Sequence, residues 1–277
     1  MTFLRAIPFS FNILWRLALV FPFMIIALIM VGILAGFLVL LTAAVSPLLA
    51  VVIMGFFGVG ASVLPTMVGT RLGLRARGAS VRSSAFGLAL PAIGYGLFEA
   101  LCALLIMALG VAAYLFATSL TLEDFTQLTQ MDEDVVIQQL MSVSPAITLS
   151  IFWVGGVLIL GLRAALLMPL AGASIAADPS GRPHTPFYGF ASEFLSLLPL
   201  VFLSYLLWGL AVPLAVAICY LLGFGDAVIA AANQIEMTGG NEALGLLGVE
   251  TGVFIGIVVL VYLWAFSLQC AGGRWFI

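Results

Sequence analysis

The sequence predicts an all-α polytopic transmembrane helix bundle of about six spans with amphipathic outer-surface segments, and three observations carry that prediction. The first is composition: 64% of the 277 residues are hydrophobic, only 8% are charged, and the mean hydropathy is +1.28. A soluble domain carries about 25% charged residues because water must wet its surface, so a chain this poor in charge has to place its outside in lipid. The second is length: about 20 apolar residues at 1.5 Å rise cross a bilayer, and runs of that size recur from end to end. The third is charge segregation, with arginines and acids on alternate inter-span segments.

Span by span, the first apolar run covers about 17–41. It is longer than the roughly 7–15 residues of a secretory signal's apolar region, so it reads as a retained span. The second covers about 47–70, with Ser46-Pro47 supplying a turn and a helix-start proline. The third to sixth cover about 85–118, 146–176, 190–222 and 251–270, all within a single integral membrane domain, 1–277. With six spans, Arg5 and Arg16, the loop bearing Arg71, Arg75, Arg77 and Arg82, then Arg182 and Arg274 all fall on one side. By the positive-inside rule that side is cytoplasmic, so both termini are expected there, in a bacterial inner membrane.

The opposite side carries two acidic stretches. In the first, Phe125, Leu128, Val135, Val136 and Leu140 recur at helical spacing, with Thr121 and Asp124 placed as a capping box. The second repeats the pattern from Asp226 to Ile235 and restarts at Asn241. Both read as short amphipathic helices at the outer surface or as extensions of spans three and six. A shift of 104 residues lays Pro65 on Pro169 and Phe86 on Phe190, a topological register for spans two and three over four and five.

Several function classes fall away on content. The net charge of −3 gives no reason to expect a nucleic-acid partner. His184 is the only histidine and reads as a solvated loop residue, which excludes bis-histidine haem and an HExxH zinc site; no cofactor or metal is expected. Cys102, Cys219 and Cys270 lie in separate apolar runs and read as small buried hydrophobes without a disulfide. GxxxG spacing at Gly32/Gly36, Gly69/Gly73 and Gly248/Gly252/Gly256 fits close helix packing, with the run in the last span the best candidate for contact between chains. Prolines inside spans, Pro169 among them, fit kinks whose freed carbonyls neighbours must satisfy.

Two charges sit inside spans, Glu99 in the third and Arg163 in the fourth. Each costs about 2.5–3.5 kcal/mol at the centre of a span on insertion scales, so each is a candidate site residue. Counted from the span ends, the two lie at similar depth on neighbouring spans, and we expect them to face each other as a structural pair or as a functional site. Arg71, Arg75, Arg77 and Arg82 are candidate contacts for anionic lipid, although setting topology is their simplest role.

The segment RAALLMPLAGASIAADPSGRPHTPFYGFASEFLSLLPLVFLSYLL resembles a six-span bacterial family that includes the membrane domain fused to some glycerophosphodiester phosphodiesterases, and the YciC-like proteins. Arg163, Leu167 and Pro169 match its pattern of arginine, leucine and proline before a polar loop, and FLRAIPFSFNILWRL resembles its amphipathic start. The resemblance implies architecture and brings no catalytic residue. The expected function is therefore a non-enzymatic scaffold or accessory subunit whose partners are the bilayer, anionic lipids or another membrane protein. The alternative is a small transporter or lipid-handling permease with a Glu99/Arg163 midplane site.

Overall fold

The computed structural model describes residues 2–43, 46–79, 81, 84, 86–118, 121, 123, 133–177, 182–238 and 249–272. Its helices are α1 (Thr2–Ala43), α2 (Pro47–Ala76), α3 (Ala89–Thr118, entered through a 3-10 turn at Phe86–Leu88), α4 (Glu133–Val143), α5 (Pro145–Ile175), α6 (Phe194–Leu221), α7 (Gly225–Thr238) and α8 (Val249–Ala271). Among the described residues there is no strand. Helices α1, α2, α3, α5, α6 and α8 are long and apolar enough to cross a membrane, so the chain is a multi-pass membrane protein of the all-α class.

Local chemistry sets most boundaries. Ser46 caps α2, its hydroxyl accepting the Leu49 N–H at 3.4 Å, and Pro47 follows at the first helical position. The other end of α2 closes on Gly78 at φ 86°, with the Ala79 N–H donating back to the Leu74 carbonyl at 3.1 Å, a glycine termination that satisfies otherwise orphaned carbonyls. Several expected bounds move: α2 runs on to Ala76 rather than 70 and α3 starts at Ala89 rather than 85. Helix α1 begins at Thr2, so the segment before Leu17 continues the first span, and α6 begins at Phe194 because the chain before it is a series of turns. The internal register of 104 is kept by the helix starts of spans three and five, Ala89 and Phe194, which are 105 apart, but not by those of spans two and four, Pro47 and Pro145, which are 98 apart.

The acidic stretches are helical at Glu133–Val143 and Gly225–Thr238, while Thr121 is outside any helix. Helix α4 runs directly into the fourth span through Ser144, so it does not extend span three, and α7 follows the fifth span after a turn at Gly223; the chain from α7 to the sixth span, 239–248, lies outside the described residues. The Leu140 carbonyl accepts from the Tyr114 hydroxyl at 3.1 Å and the Thr148 hydroxyl at 2.9 Å, which fixes α4 over the ends of α3 and α5. The capping box at Thr121 and Asp124 and the restart at Asn241 lie outside the described residues.

The six long helices form a ring in chain order, α1 to α2, α3, α5, α6 and α8, and α8 closes back on α1. Helix α2 also touches α5 and α8 across the ring. Burial is uneven along them. In α1 it stops at Leu17, in α5 it is continuous from Gly161 to Ile175 apart from Leu162, and in α8 it is confined to Leu263–Ala271, in each case toward the end that carries the arginines. Beyond those points the apolar side chains of α1, α3 and α5 face outward, as lipid requires.

Glycine and small polar residues make the tight contacts. A methyl group on Gly69 would sit 2.4 Å from the Cys270 Sγ, and one on Gly73 would sit 2.8 Å from Ile13, so this pair is where α1 and α8 meet α2. A methyl on Gly96 would lie 2.6 Å from the Val59 carbonyl oxygen, a near-contact of the α2 and α3 backbones. By contrast Gly32, Gly36, Gly252 and Gly256 have nothing within 4 Å of that position. Polar seams join α8 to its neighbours: the Gln269 amide donates to the Ser204 hydroxyl at 2.9 Å, that hydroxyl donates to the Ala265 carbonyl at 2.7 Å, and the Trp264 indole donates to Ser10 at 3.2 Å. All three cysteines are unbridged, with Cys219 and Cys270 buried and Cys102 partly so.

The contrast between these glycines sets a stability prediction. Gly69→Ala overpacks the α2–α8 contact and should destabilise the protein by about 1–3 kcal/mol. Gly256→Ala meets open space and should stay within about 0.5 kcal/mol of wild type or stabilise. Thermal melts of the two variants in one detergent check both.

Candidate functional site

Arg163 projects from the buried part of α5, where lipid offers no hydrogen bond and each N–H of its guanidinium needs a protein acceptor. The structure supplies two. Nη1 donates to Glu99 Oε2 of α3 at 2.5 Å, and Nη2 donates to the Thr66 hydroxyl of α2 at 2.9 Å, while Nε is buried without a partner. The Arg163 side chain is 7% exposed and that of Glu99 20%, so the carboxylate keeps one edge open. This is the one salt bridge among the described residues. Tyr205 of α6 and Cys270 of α8 lie within electrostatic reach of Arg163, and the Cys270 thiol donates weakly to the Thr66 carbonyl at 3.7 Å. Three of the ring's helices, α2, α3 and α5, thus meet at one guanidinium, and α6 and α8 come close.

The depth of this site differs from the midplane expected of it. Arg163 is 18 residues from Pro145 and 12 from Ile175, Glu99 is 19 from Thr118 and 10 from Ala89, and Thr66 is 19 from Pro47 and 10 from Ala76. At 1.5 Å per residue the site lies about 15–18 Å from the arginine-bearing helix ends and about 27–29 Å from the others. For Glu99 the difference arises because α3 starts four residues later than the apolar run alone suggests, while Arg163 already lay off centre in its expected span 146–176. A charge nearer one interface costs less to hold.

On that nearer side a loop returns against the bundle. Pro169 has no N–H, so the Ala165 carbonyl of α5 loses its helical donor. The Ala191 N–H from the loop before α6 fills it at 3.3 Å, two residues from Arg163 in sequence. The loop holds this position with a backbone that side chains rarely adopt: Phe187 and Ala191 have φ of 61° and 59°. Phe187 meets Tyr95 and Phe98 edge-on at 5.5 and 4.8 Å, and Phe190 meets Phe98 at 6.1 Å. His184 folds onto α3 rather than into solvent, its Nε2 3.1 Å from the Tyr95 hydroxyl. Tyr95 is one turn from Glu99 on the same helix, so the loop covers the approach to the ion pair from the arginine-bearing end.

An open apolar groove of about 250 Å³ lies on the outward face between α5 and α6, lined by Phe152, Trp153, Gly156, Val157, Leu160 and Phe202. Its last α5 residue, Leu160, is one turn from Arg163, yet neither charge lines it. Of the four loop arginines, Arg71 donates to the Ser84 carbonyl at 3.1 Å, Arg75 is exposed, Arg77 lies over the Phe9 ring at 4.5 Å, and Arg82 is outside the described residues. Among the described residues no three His, Cys, Asp or Glu side chains gather as a metal site would require. Thr66, Tyr95, Ser204 and Gln269 were not singled out in the sequence, though a polar residue inside an apolar run is itself a signal. No protein-family model, curated protein or solved structure matches this chain.

Two outcomes follow from this geometry. Glu99→Gln and Arg163→Leu each strand a partner and should each lower stability, by about 3–5 kcal/mol where the site behaves as a buried pair, with the double variant recovering most of the loss; a thermal double-mutant cycle measures the coupling. Pro169→Ala restores a helical donor to Ala165, so it should leave α5 intact while hydrogen exchange of the amides at 187–192 rises several-fold.

Proposed function

We propose that this chain is a non-enzymatic scaffold or accessory subunit of a bacterial inner membrane, with both termini cytoplasmic and the acidic helices outside. One observation carries the reading: the intramembrane charges are consumed inside the protein. Arg163 donates to both Glu99 and Thr66, and so pins α2, α3 and α5, and the apolar groove beside them presents neither charge. A transport site would expose such groups to a passage for solute. The orientation rests on the arginine distribution. The likeness of the segment around Arg163, Leu167 and Pro169 to the six-span family supports the same architecture and brings no chemistry with it.

A second reading, a lipid-handling permease, is favoured by the position of the α5–α6 groove one turn from Arg163 and by the open edge of Glu99. The two readings part in one experiment. Extracted in native lipid particles, a scaffold should emerge in fixed stoichiometry with a second membrane protein, and the purified chain in vesicles should move neither protons nor labelled lipid above protein-free vesicles. Transport that Glu99→Gln abolishes without changing the melting temperature would replace the first reading with the second. For topology, reporter fusions after Gln130 and Asn241 should be active outside, and one after Arg77 inside.

A further inference from the structure

Three polar side chains stand where hydrocarbon gives them nothing to bond. On α6, Tyr205 and Trp208 are 41% and 53% exposed, and on α8 Tyr262 is partly exposed, its ring edge-on to Trp208 at 5.4 Å. Tyr205 and Trp208 are 11 and 14 residues from Phe194, the start of a helix about 42 Å long. A hydrocarbon layer of about 30 Å laid anywhere along that helix covers both residues. The same holds for Tyr262, 13 residues from Val249 and 9 from Ala271 on the shorter α8. Tryptophan and tyrosine ordinarily gather at the headgroup layers, where the indole N–H and the hydroxyl are wet. Here, among the described residues, neither hydroxyl nor the indole N–H makes a hydrogen bond. An unmet hydroxyl or N–H in an apolar medium is costly, and an acceptor brought to this place would relieve that cost.

The same cluster adjoins the ion pair and the groove. Tyr205 lies within electrostatic reach of Arg163 and Glu99. Arg163 Nε is buried without a partner, and Glu99 keeps one edge open. Long helical side chains lean over the turn before them, so Arg163 is directed over Leu160 and Tyr205 over Phe202. Leu160 and Phe202 both line the open α5–α6 groove, and a methyl group on Gly156, in its wall, would meet nothing within 4 Å. An apolar trough thus ends beside a group of hydrogen-bond donors: Arg163 Nε, the Trp208 indole and two phenols. Glu99 neutralises Arg163, so the group carries no net charge to hold an ion. Glycerolipid carbonyls stay in the interfacial layer, outside the hydrocarbon that holds these residues. A flat uncharged ring with carbonyl acceptors and an apolar tail fits what remains. Tyr205, Trp208 and Tyr262 offer it both rings and donors, and the groove takes the tail. We propose that this face binds the head of a membrane quinone, with its tail in the α5–α6 groove. The site is the same whether the quinone is carried or held, so it stands apart from the choice between scaffold and permease.

The test uses the purified full chain in lipid discs of phosphatidylcholine, with protein-free discs as the blank. A decyl-tailed benzoquinone is the probe, read by native mass spectrometry and by the melting temperature. The quinone should be retained above the blank, in preference to dioleoylglycerol or phosphatidylglycerol, and should raise the midpoint. A hydrogen bond between groups inside a bilayer is worth a factor of about three to thirty, so Tyr205→Phe and Trp208→Phe should each weaken retention by that much. Gly156→Leu fills the groove and should weaken retention of the tailed quinone while leaving that of the same ring without its tail unchanged. That comparison still decides if either ring variant lowers the folded yield. Phe116→Leu, at a side chain 91% exposed on α3, should change neither. Retention no greater than the blank, equal retention of dioleoylglycerol, or full retention in both Tyr205→Phe and Trp208→Phe overturns the proposal. A dimer that Trp208→Phe separates assigns the patch to a second copy of the chain and overturns it too.

Discussion

A guanidinium within a membrane bundle must find its acceptors in the protein, and the packing of α2, α3 and α5 is arranged around Arg163. Its two outer nitrogens reach Glu99 and Thr66 on different helices, so a slide of one turn, about 5.4 Å, by either helix would break a charged hydrogen bond. That requirement sets register where apolar contacts are permissive, since one leucine face slides over another at little cost and lipid competes for both. The near-contact of the α2 and α3 backbones at Gly96 and Val59 belongs to the same arrangement, because larger side chains there would hold apart the helices that carry Thr66 and Glu99. A buried ion pair is weak evidence of net stability, and its stronger effect is on which packing is chosen.

The uneven burial follows from two solvents. Helices of 28–31 residues, such as α2, α3, α5 and α6, are about 42–46 Å long, against a hydrocarbon layer of about 30 Å. Where they are wrapped in lipid, apolar side chains face outward without penalty, and the helices keep few buried residues. Toward the arginine-bearing end the same residue types meet water or headgroups and must be covered by one another, which gathers Phe9, Ile13, Leu17, Leu74, Leu167, Leu197 and Leu268 into one core. Helix α6 departs from this pattern. Its buried stripe of Leu197, Val201, Ser204, Leu207, Ala211, Ala215 and Cys219 recurs every three or four residues along its whole length, the spacing of a single helix face.

Backbone accounting explains the loop before α6. A proline within a span strands a carbonyl that lipid cannot satisfy, and Ala165 is satisfied by an amide from a segment 26 residues later. The turn that delivers it places Phe187 and Ala191 at positive φ, a strain offset by the ring contacts of Phe187 and Phe190 with α3 and by the His184–Tyr95 hydrogen bond. The loop, the kinked helix and the ion pair are thus one connected piece of structure.

Whereas the starts of the first, third and fifth at Thr2, Ala89 and Phe194 were set by neighbouring structure, that the chain carries six long apolar helices was legible in the sequence alone, because apolar length is a local property. The starts of α2 at Ser46-Pro47 and of α7 near Asp226, and the equal depth of Glu99 and Arg163 on adjoining spans, are of the same kind. Contacts between distant segments were not local and had to wait for the fold. Nothing near Thr66 marks it as the third partner of Arg163, 97 residues away, and nothing near His184 marks it as bound to Tyr95, 89 residues away. Glycine spacing was equally mute about its use: Gly69/Gly73 and Gly32/Gly36 share one pattern, yet the first is packed against α1 and α8 and the second meets nothing. A helix carries its periodicity in its own residues, but which face it turns to a neighbour depends on side chains and carbonyls that only the assembled bundle brings within reach.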